Sequence, residues 1–344
     1  MRVILVAGTT KTATIEGISA AGATSRLLMH TPSADAEIIS YGLPIQAPVT
    51  PISPSGCPTP AVITRAIRER IGFDLTIIDA GLARPTGAPT VSVGARPGRD
   101  IRESEPVPTA PELFINAREF GQSLPDDQIV IGETIPGGTT TALAVCRALG
   151  VDVPTSSSIP TNPLRLKQNV TDKALSTAGI SPGQFAHNPK HAIRAVGDPV
   201  LAVAAGTTVG AIESNTDVIL GGGTQLLTVA ALVRHAGVSE RATLATTSYL
   251  AADVTGLNET ATALNLDLIV TNPEFGAHDV DAGPLSEYAN GVAKEGAGMG
   301  GALALIAEAD RLNEVIPAVQ HVLNRIEQQQ SHENTVTYTD TKST

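Results

Sequence analysis

The sequence predicts an α/β fold: a doubly wound, mainly parallel sheet flanked by helices, with a smaller lobe built from the terminal elements. Two observations point there. Short aliphatic runs alternate with helix-length segments along most of the 344 residues, which is the order expected when each strand is followed by a covering helix. Aromatic residues make up only 3% of the chain and tryptophan is absent. The core must therefore be built from Ala, Val, Ile and Leu, which suits strands buried on both faces.

The strand candidates are 3–6, 75–78, 91–93, 129–131, 218–220, 243–246 and 266–270. Several run directly into glycine or a small hydroxyl residue, as strands do when they feed loops at their carboxyl ends. Helix candidates lie at 60–71, 110–122, 139–149, 199–212, 225–236 and 284–306. Asp198-Pro199 supplies a capping carboxylate and then a proline where the missing N–H costs nothing, and Leu149-Gly150 supplies a stop. Two stretches, 41–60 and 84–111, are rich in Pro, Gly and hydroxyl or charged residues and are long for plain connections, so each is a candidate active-site loop. Residues 1–327 read as one main domain and 328–344 as a polar, frayed tail.

A formal net charge of −11, with no basic run to offset it, argues against nucleic-acid binding. The excess of acid over base also hints at adaptation to salt. The uncharged aliphatic stretch 218–233 is glycine-interrupted and shorter than a bilayer span. Cys57 and Cys146 stand alone without a CxxC pattern, which fits a reducing interior and a cytoplasmic protein.

Three glycine-rich junctions could carry chemistry. In the first, a strand leads through Gly132-Glu133 into Gly137-Gly138-Thr139-Thr140-Thr141 at the start of a helix. Exposed N–H groups, hydroxyls and the helix dipole there favour an anion, with phosphate the natural guest. A tight turn with threonine capping would look the same. The second is Lys294-Glu295-Gly296-Ala297-Gly298-Met299-Gly300-Gly301. It satisfies GxGxxG in form, but no strand precedes it, so dinucleotide binding is set aside. What remains is a carboxylate, Glu295, beside small residues that admit a ligand, or a surface glutamate next to a glycine-rich helix. The third, Gly221-Gly222-Gly223 after the strand at 218–220, could meet an anion or sugar hydroxyl, or only let helix and sheet pack closely.

Other motifs fail. Gly8-Thr9-Thr10-Lys11-Thr12 lacks the spacing of a phosphate-binding P-loop. His187 and His191 have zinc-like spacing, but Pro189 is expected to break a helix between them, and no third ligand lies nearby. No Gly-x-Ser-x-Gly elbow is present.

Taken together, these segments resemble the nicotinate-nucleotide:dimethylbenzimidazole phosphoribosyltransferase family. Its Glu-x-Gly-Ile-Gly-Asn-Thr-Thr segment is similar to Glu133-Thr134-Ile135-Pro136-Gly137-Gly138-Thr139-Thr140, and its Gly-Glu-Gly-Thr-Gly segment to Lys294-Glu295-Gly296-Ala297-Gly298. Gly197-Asp198-Pro199-Val200-Leu201 and the junction at 218–232 follow in the family's order. Ile18-Ser19-Ala20-Ala21-Gly22-Ala23-Thr24 and Thr31-Pro32-Ser33-Ala34-Asp35-Ala36-Glu37 resemble its archaeal and cyanobacterial branch. The chain departs from the pattern where the family's Asn before Thr-Thr is Gly138, and where the usual N-terminal arrangement is not recognisable before Pro60.

The resemblance implies transfer of a 5-phosphoribosyl group from nicotinate mononucleotide to a heteroaromatic base of the benzimidazole type. The product would be an α-riboside phosphate for the lower ligand of a cobamide. Glu295 would act as general base and Glu133 would orient the substrate. Gly137, Gly138, Thr139, Thr140 and Thr141 would hold the phosphate, with Gly221, Gly222, Gly223, Gly296 and Gly298 completing the site. No metal or other cofactor is called for, and the family's members are homodimers. A non-catalytic homologue that binds a phosphorylated nucleotide, or one with another acceptor, is the alternative.

Overall fold

The computed structural model describes residues 1–19, 25–276 and 283–340, with side chains left out at 25, 26 and 332–340. Residues 20–24, which include Gly22 of the early family-like segment, fall outside the described residues, as do 341–344 of the expected tail.

Seven strands form one sheet: β1 (Arg2–Ala7), β2 (Asp74–Asp79), β3 (Val91–Ser92), β4 (Gln128–Thr134), β5 (Asp217–Gly221), β6 (Ala242–Thr247) and β7 (Leu266–Thr271). Every pairing is parallel, in the order β3-β2-β1-β4-β5-β6-β7. Alternation along β1 shows how one strand serves two cores. Ile4 and Val6 enter the cluster on one face, and Val3, Leu5 and Ala7 enter the other. Strand order reverses between β1 and β4, and a sheet of this kind leaves a crevice at that switch point, outside the strand carboxyl ends.

Ten helices of eight residues or more are numbered here: α1 (Thr31–Tyr41), α2 (Ala61–Ile71), α3 (Ala110–Gln122), α4 (Gly138–Leu149), α5 (Leu164–Ala178), α6 (Pro189–Val196), α7 (Pro199–Glu213), α8 (Thr224–His235), α9 (Met299–Glu308) and α10 (Val315–Asp340). Helices α3 to α8 pack on the face that holds Ile4 and Val6. Helices α1, α2, α9 and α10 pack together on the opposite face, so the terminal elements of the chain meet in a single layer there.

Three sequence expectations change. The helix expected over 284–306 is broken: a short helix at Ser286–Ala289 ends, and α9 begins only at Met299. Between them Ala293, Gly296, Ala297 and Gly298 all take positive φ, which no helix permits. Pro189 opens α6 rather than breaking a helix, because at its first position a proline has no hydrogen bond to lose. The last helix continues to Asp340, past the end expected near Glu327. Helix α1 was not anticipated. Nine of its residues, from Thr31 to Ile39, are buried, so it shows no one-sided apolar stripe.

Two backbone approaches bring the carboxyl ends of β4 and β5 against the start of α9. A Cβ on Gly132 would lie 2.4 Å from the Cα of Gly298, and one on Gly221 would lie 2.7 Å from the Cα of Gly301. Gly132→Ala is therefore expected to cost about 1–3 kcal/mol, since backbone cannot yield as a side chain can. A lowered denaturation midpoint in urea would show it, and an unchanged midpoint would mean that α9 does not sit this close.

Candidate active site

A cleft opens at the switch point, bounded by the end of β4 and by segments that follow β1, β4 and β5 in the chain. Strand β4 ends in Glu133 and Thr134 on its wall, and the chain then turns through Ile135 and Pro136. Gly137, at φ 80, passes so close to Ala13 that a Cβ would sit 2.9 Å from its backbone. Helix α4 starts at the next residue, and Gly138 and Thr139 of its first turn line the cleft.

Glu295 reaches the same cleft from the loop before α9. One carboxylate oxygen accepts from the Gly296 and Gly300 N–H groups at 3.1 and 3.2 Å. The other accepts from the Thr246 hydroxyl at 3.2 Å. The loop itself is tied down, with Ala297 N–H donating to the Glu133 carbonyl at 2.8 Å and Thr247 Oγ1 to the Lys294 carbonyl at 2.7 Å. Lys294 is buried and pairs with Asp253 at 3.2 Å.

A third carboxylate, Asp35 on α1, lines the cleft and accepts hydroxyl bonds from Thr59 and Thr134, both at 2.6 Å. No arginine or lysine pairs with any of the three among the described residues. Burial, reinforced by Asp198, Glu295 and Asp35, pushes Glu133 up to about 8 against the opposing Ile135 N–H. Burial raises Glu295 to about 7, with its backbone and hydroxyl donors acting the other way. Asp35 is raised to about 6 by burial, again opposed by its two threonines. Near neutrality Glu133 thus holds its proton while Glu295 is poised to exchange one. Because the two interact, their titration belongs to the pair.

Beneath the start of α4 lies a cation. Lys167 on α5 is fully buried, and its Nζ donates to Thr139 Oγ1 at 2.9 Å and to the Ser156 carbonyl at 2.6 Å. Burial, with Lys294 nearby, lowers it to about 7. An anion bound at the α4 terminus would favour its charged form.

Of the residues singled out from sequence, Glu133, Gly137, Gly138, Thr139, Gly223, Glu295 and Gly296 line the cleft. The other five stand behind its wall. Thr141 Oγ1 donates to Asp198 at 2.5 Å and to the Gly138 carbonyl at 2.8 Å, locking α4 to the start of α7. The Thr140 hydroxyl is buried without a hydrogen-bond partner among the described residues. Gly221 and Gly298 serve the backbone contacts described above, and Gly222 packs against Leu226. Asp35, Lys167 and Gln225 were not singled out as site residues. Asp35 sits on a helix without a polar face, and Lys167 lies in a polar stretch that reads like any solvated helix.

The stretch at 41–60 does reach the cleft, through Pro51, Ser53 and the run from Cys57 to Pro60. Residues before Pro60 thus help to shape the site, and Pro, Ile and Val supply its apolar wall. Burial lifts the Cys57 thiol to about 12, so it is an inert part of that wall. The stretch at 84–111 does not line the cleft; it packs on the turn after β1, where Thr10 Oγ1 donates to the Arg99 carbonyl and Ile101 N–H to Thr12 Oγ1. Those contacts use the hydroxyls of the rejected P-loop, and Lys11 points to solvent. His187 and His191 do not converge: His191 faces Asn188, while the His187 N–H donates to His235. Among the described residues no group of three or more His, Cys, Asp or Glu is placed to hold a metal, and no helix is long and apolar enough to cross a membrane.

No model of a known protein family matches the chain. The UPF0284 protein of Halobacterium salinarum is 54% identical over 324 residues, covering 94% of this chain and 97% of its own. The chain belongs to the UPF0284 family. Another UPF0284 protein, from Thermococcus gammatolerans, is 39% identical over 311 residues, covering 89% of this chain and 92% of its own. The UPF0284 fold is also similar to the crystal structure of nicotinate-nucleotide-dimethylbenzimidazole phosphoribosyltransferase from Thermus thermophilus. The TM-score is 0.60 at 16% identity, over 93% of this chain and 82% of that one. That likeness is one of fold.

The raised carboxylates have a cost that depends on pH. Glu133 binds its proton more tightly folded than unfolded, so the stability it lends is present in acid and is lost as pH rises through about 8. Glu133→Gln, which keeps the shape without the charge, should melt progressively above wild type between pH 5 and pH 9, by about 1–2 °C for each kcal/mol gained. A melting difference that stayed flat over this range would mean that Glu133 is not held protonated.

Proposed function

We propose that this protein transfers the 5-phosphoribosyl group of nicotinate mononucleotide to a benzimidazole-type base, releasing nicotinate. The observation that carries the proposal is the pair of raised carboxylates, Glu133 and Glu295, sharing one cleft with the N-terminus of α4, behind which Lys167 is buried against Thr139. The overall fold and the two family-like segments support it.

In this scheme the 5′-phosphate lies at the start of α4, where backbone N–H groups and the dipole favour negative charge, and a protonated Lys167 adds positive charge from behind Thr139. The incoming base attacks C1′ through a ring nitrogen. As the new C–N bond forms, the bond to the nicotinate nitrogen breaks, and its electron pair neutralises the pyridinium. The departing ring therefore needs no proton. The attacking heterocycle must lose one, from its N–H, and Glu295 receives it. Three donors hold the Glu295 carboxylate in place, and its pKa near 7 suits a base working near neutral pH. Glu133, protonated, offers a hydrogen bond to the ribose or to the ring. The apolar side of the cleft, with Pro51, Pro58 and Pro60, takes the flat face of the acceptor. No metal is required by these steps, and a homodimer is the expected assembly.

Incubation with nicotinate mononucleotide and dimethylbenzimidazole should give nicotinate and the riboside phosphate. Glu295→Gln should lower kcat about 10²–10⁴-fold, the usual contribution of a positioned base. In the wild type kcat/KM should rise about tenfold per pH unit below pH 7 and level off above it, as Glu295 loses its proton. Nucleotide binding without turnover, for dimethylbenzimidazole and for a panel of purines and phenols alike, would leave a binding protein and reject the transferase.

A further inference from the structure

Gln225, the second residue of α8, is only 8% exposed and forms part of the cleft wall. Its amide nitrogen is buried and has no hydrogen-bond partner among the described residues. A buried primary amide left unpaired loses about 1–3 kcal/mol of hydration without return, so native proteins seldom tolerate one away from a ligand site. The neighbouring polar groups are already committed. Thr224 Oγ1 accepts from Ser156 N–H at 3.2 Å, and Lys167 is shared between Thr139 and Ser156.

The position of this amide is specific. A Cβ built on Gly138 would lie 2.0 Å from the Gln225 nitrogen, so the carboxamide fills the space that a side chain at 138 would need. Gly138 is also where the resembled family carries an asparagine just ahead of its paired threonines. In this chain, then, a carboxamide stands at the first residue of α4, but it is delivered from α8. Glycine at 138 is what makes room for it.

Resting on the nucleotide reading above, we infer that Gln225 is a ligand-binding residue that donates its side-chain N–H to a phosphoryl oxygen of the nucleotide, replacing the family's asparagine with an amide from another helix. The amide nitrogen needs an acceptor. At a helix N-terminus backed by Lys167 the favoured acceptor is an anion, and a phosphoryl group presents several oxygens to the convergent donors.

The test is calorimetric titration of three probes, ribose 5-phosphate, nicotinate mononucleotide and nicotinate, into the wild type, Gln225→Ala and Gln225→Glu, with melting curves to confirm folding. Gln225→Ala should bind ribose 5-phosphate and the mononucleotide about tenfold or more weakly. Gln225→Glu should be weaker still, because it sets a carboxylate against the phosphate. The double variant Gly138→Asn/Gln225→Ala should recover most of the lost affinity. Ribose 5-phosphate binding unchanged in Gln225→Ala would overturn the inference while leaving the nucleotide reading intact. Loss of nicotinate binding alone would overturn it in favour of a carboxylate contact. A double variant that fails to regain affinity would overturn the exchange of one amide for the other. A wild type that binds neither phosphorylated probe would overturn the nucleotide reading and this inference with it.

Discussion

Helix α9 and the loop ahead of it lie backbone to backbone on β4 and β5, at the contacts of Gly132 with Gly298 and of Gly221 with Gly301. That close approach sets everything else in the cleft. It lets Ala297 donate to the Glu133 carbonyl, so that the Glu295 loop is fastened to the strand bearing the other carboxylate. It also brings Gly300 N–H within reach of Glu295 itself. Larger residues at these points would lift the loop away, and the two glutamates would no longer share one cleft. The conformation is strained as well as close. Ala293 and Ala297 are held at φ 47 and 50, at roughly 1–3 kcal/mol each, which local sequence would not choose.

The electrostatics of the cleft follow from what was left out of it. Glu133, Glu295 and Asp35 are gathered without an arginine or lysine paired to them among the described residues, so burial raises all three, and at Glu133 repulsion from Asp198, Glu295 and Asp35 adds to it. The lysines are placed differently: Lys294 faces Asp253, and Lys167 lies under Thr139 at the start of α4. Negative charge is thus discouraged at the carboxylates and welcomed at the helix terminus. A ligand with an anionic end and a cationic or N–H-bearing centre matches that division, and a nucleotide with a pyridinium base has both. The separation of Glu133 from Glu295 in proton affinity then divides their roles, one kept neutral and one able to take a proton.

Much of this was legible in the sequence, and the gaps have physical reasons. Strands buried on both faces announce themselves as aliphatic runs, and all seven lie on those runs, with β4 continuing three residues past its own to Thr134. Glu133 and Glu295 stood out because each adjoins glycines that only a turn or a close approach requires. Helix α1 was missed because it is buried nearly all round, and with it Asp35. The break at 290–298 was missed because alanine favours helix, and only tertiary hydrogen bonds hold Ala293 and Ala297 at positive φ. Among the glycines, sequence could not separate those lining the cleft, such as Gly137 and Gly296, from Gly221 and Gly222, which serve packing. Gln225 carried no local signal: its unpaired amide becomes visible only once α8 is laid beside α4.

The central claim is that one cleft presents the N-terminus of α4 to the phosphate of the nucleotide and Glu295 to the base that attacks its C1′. A crystal structure with nicotinate mononucleotide bound tests it most directly. The account predicts the phosphate within hydrogen-bond distance of the backbone N–H groups around Gly138 and Thr139, with the Glu295 carboxylate facing the side of C1′ opposite the nicotinate ring. A nucleotide bound elsewhere, or bound here with its phosphate against the carboxylates, would contradict it.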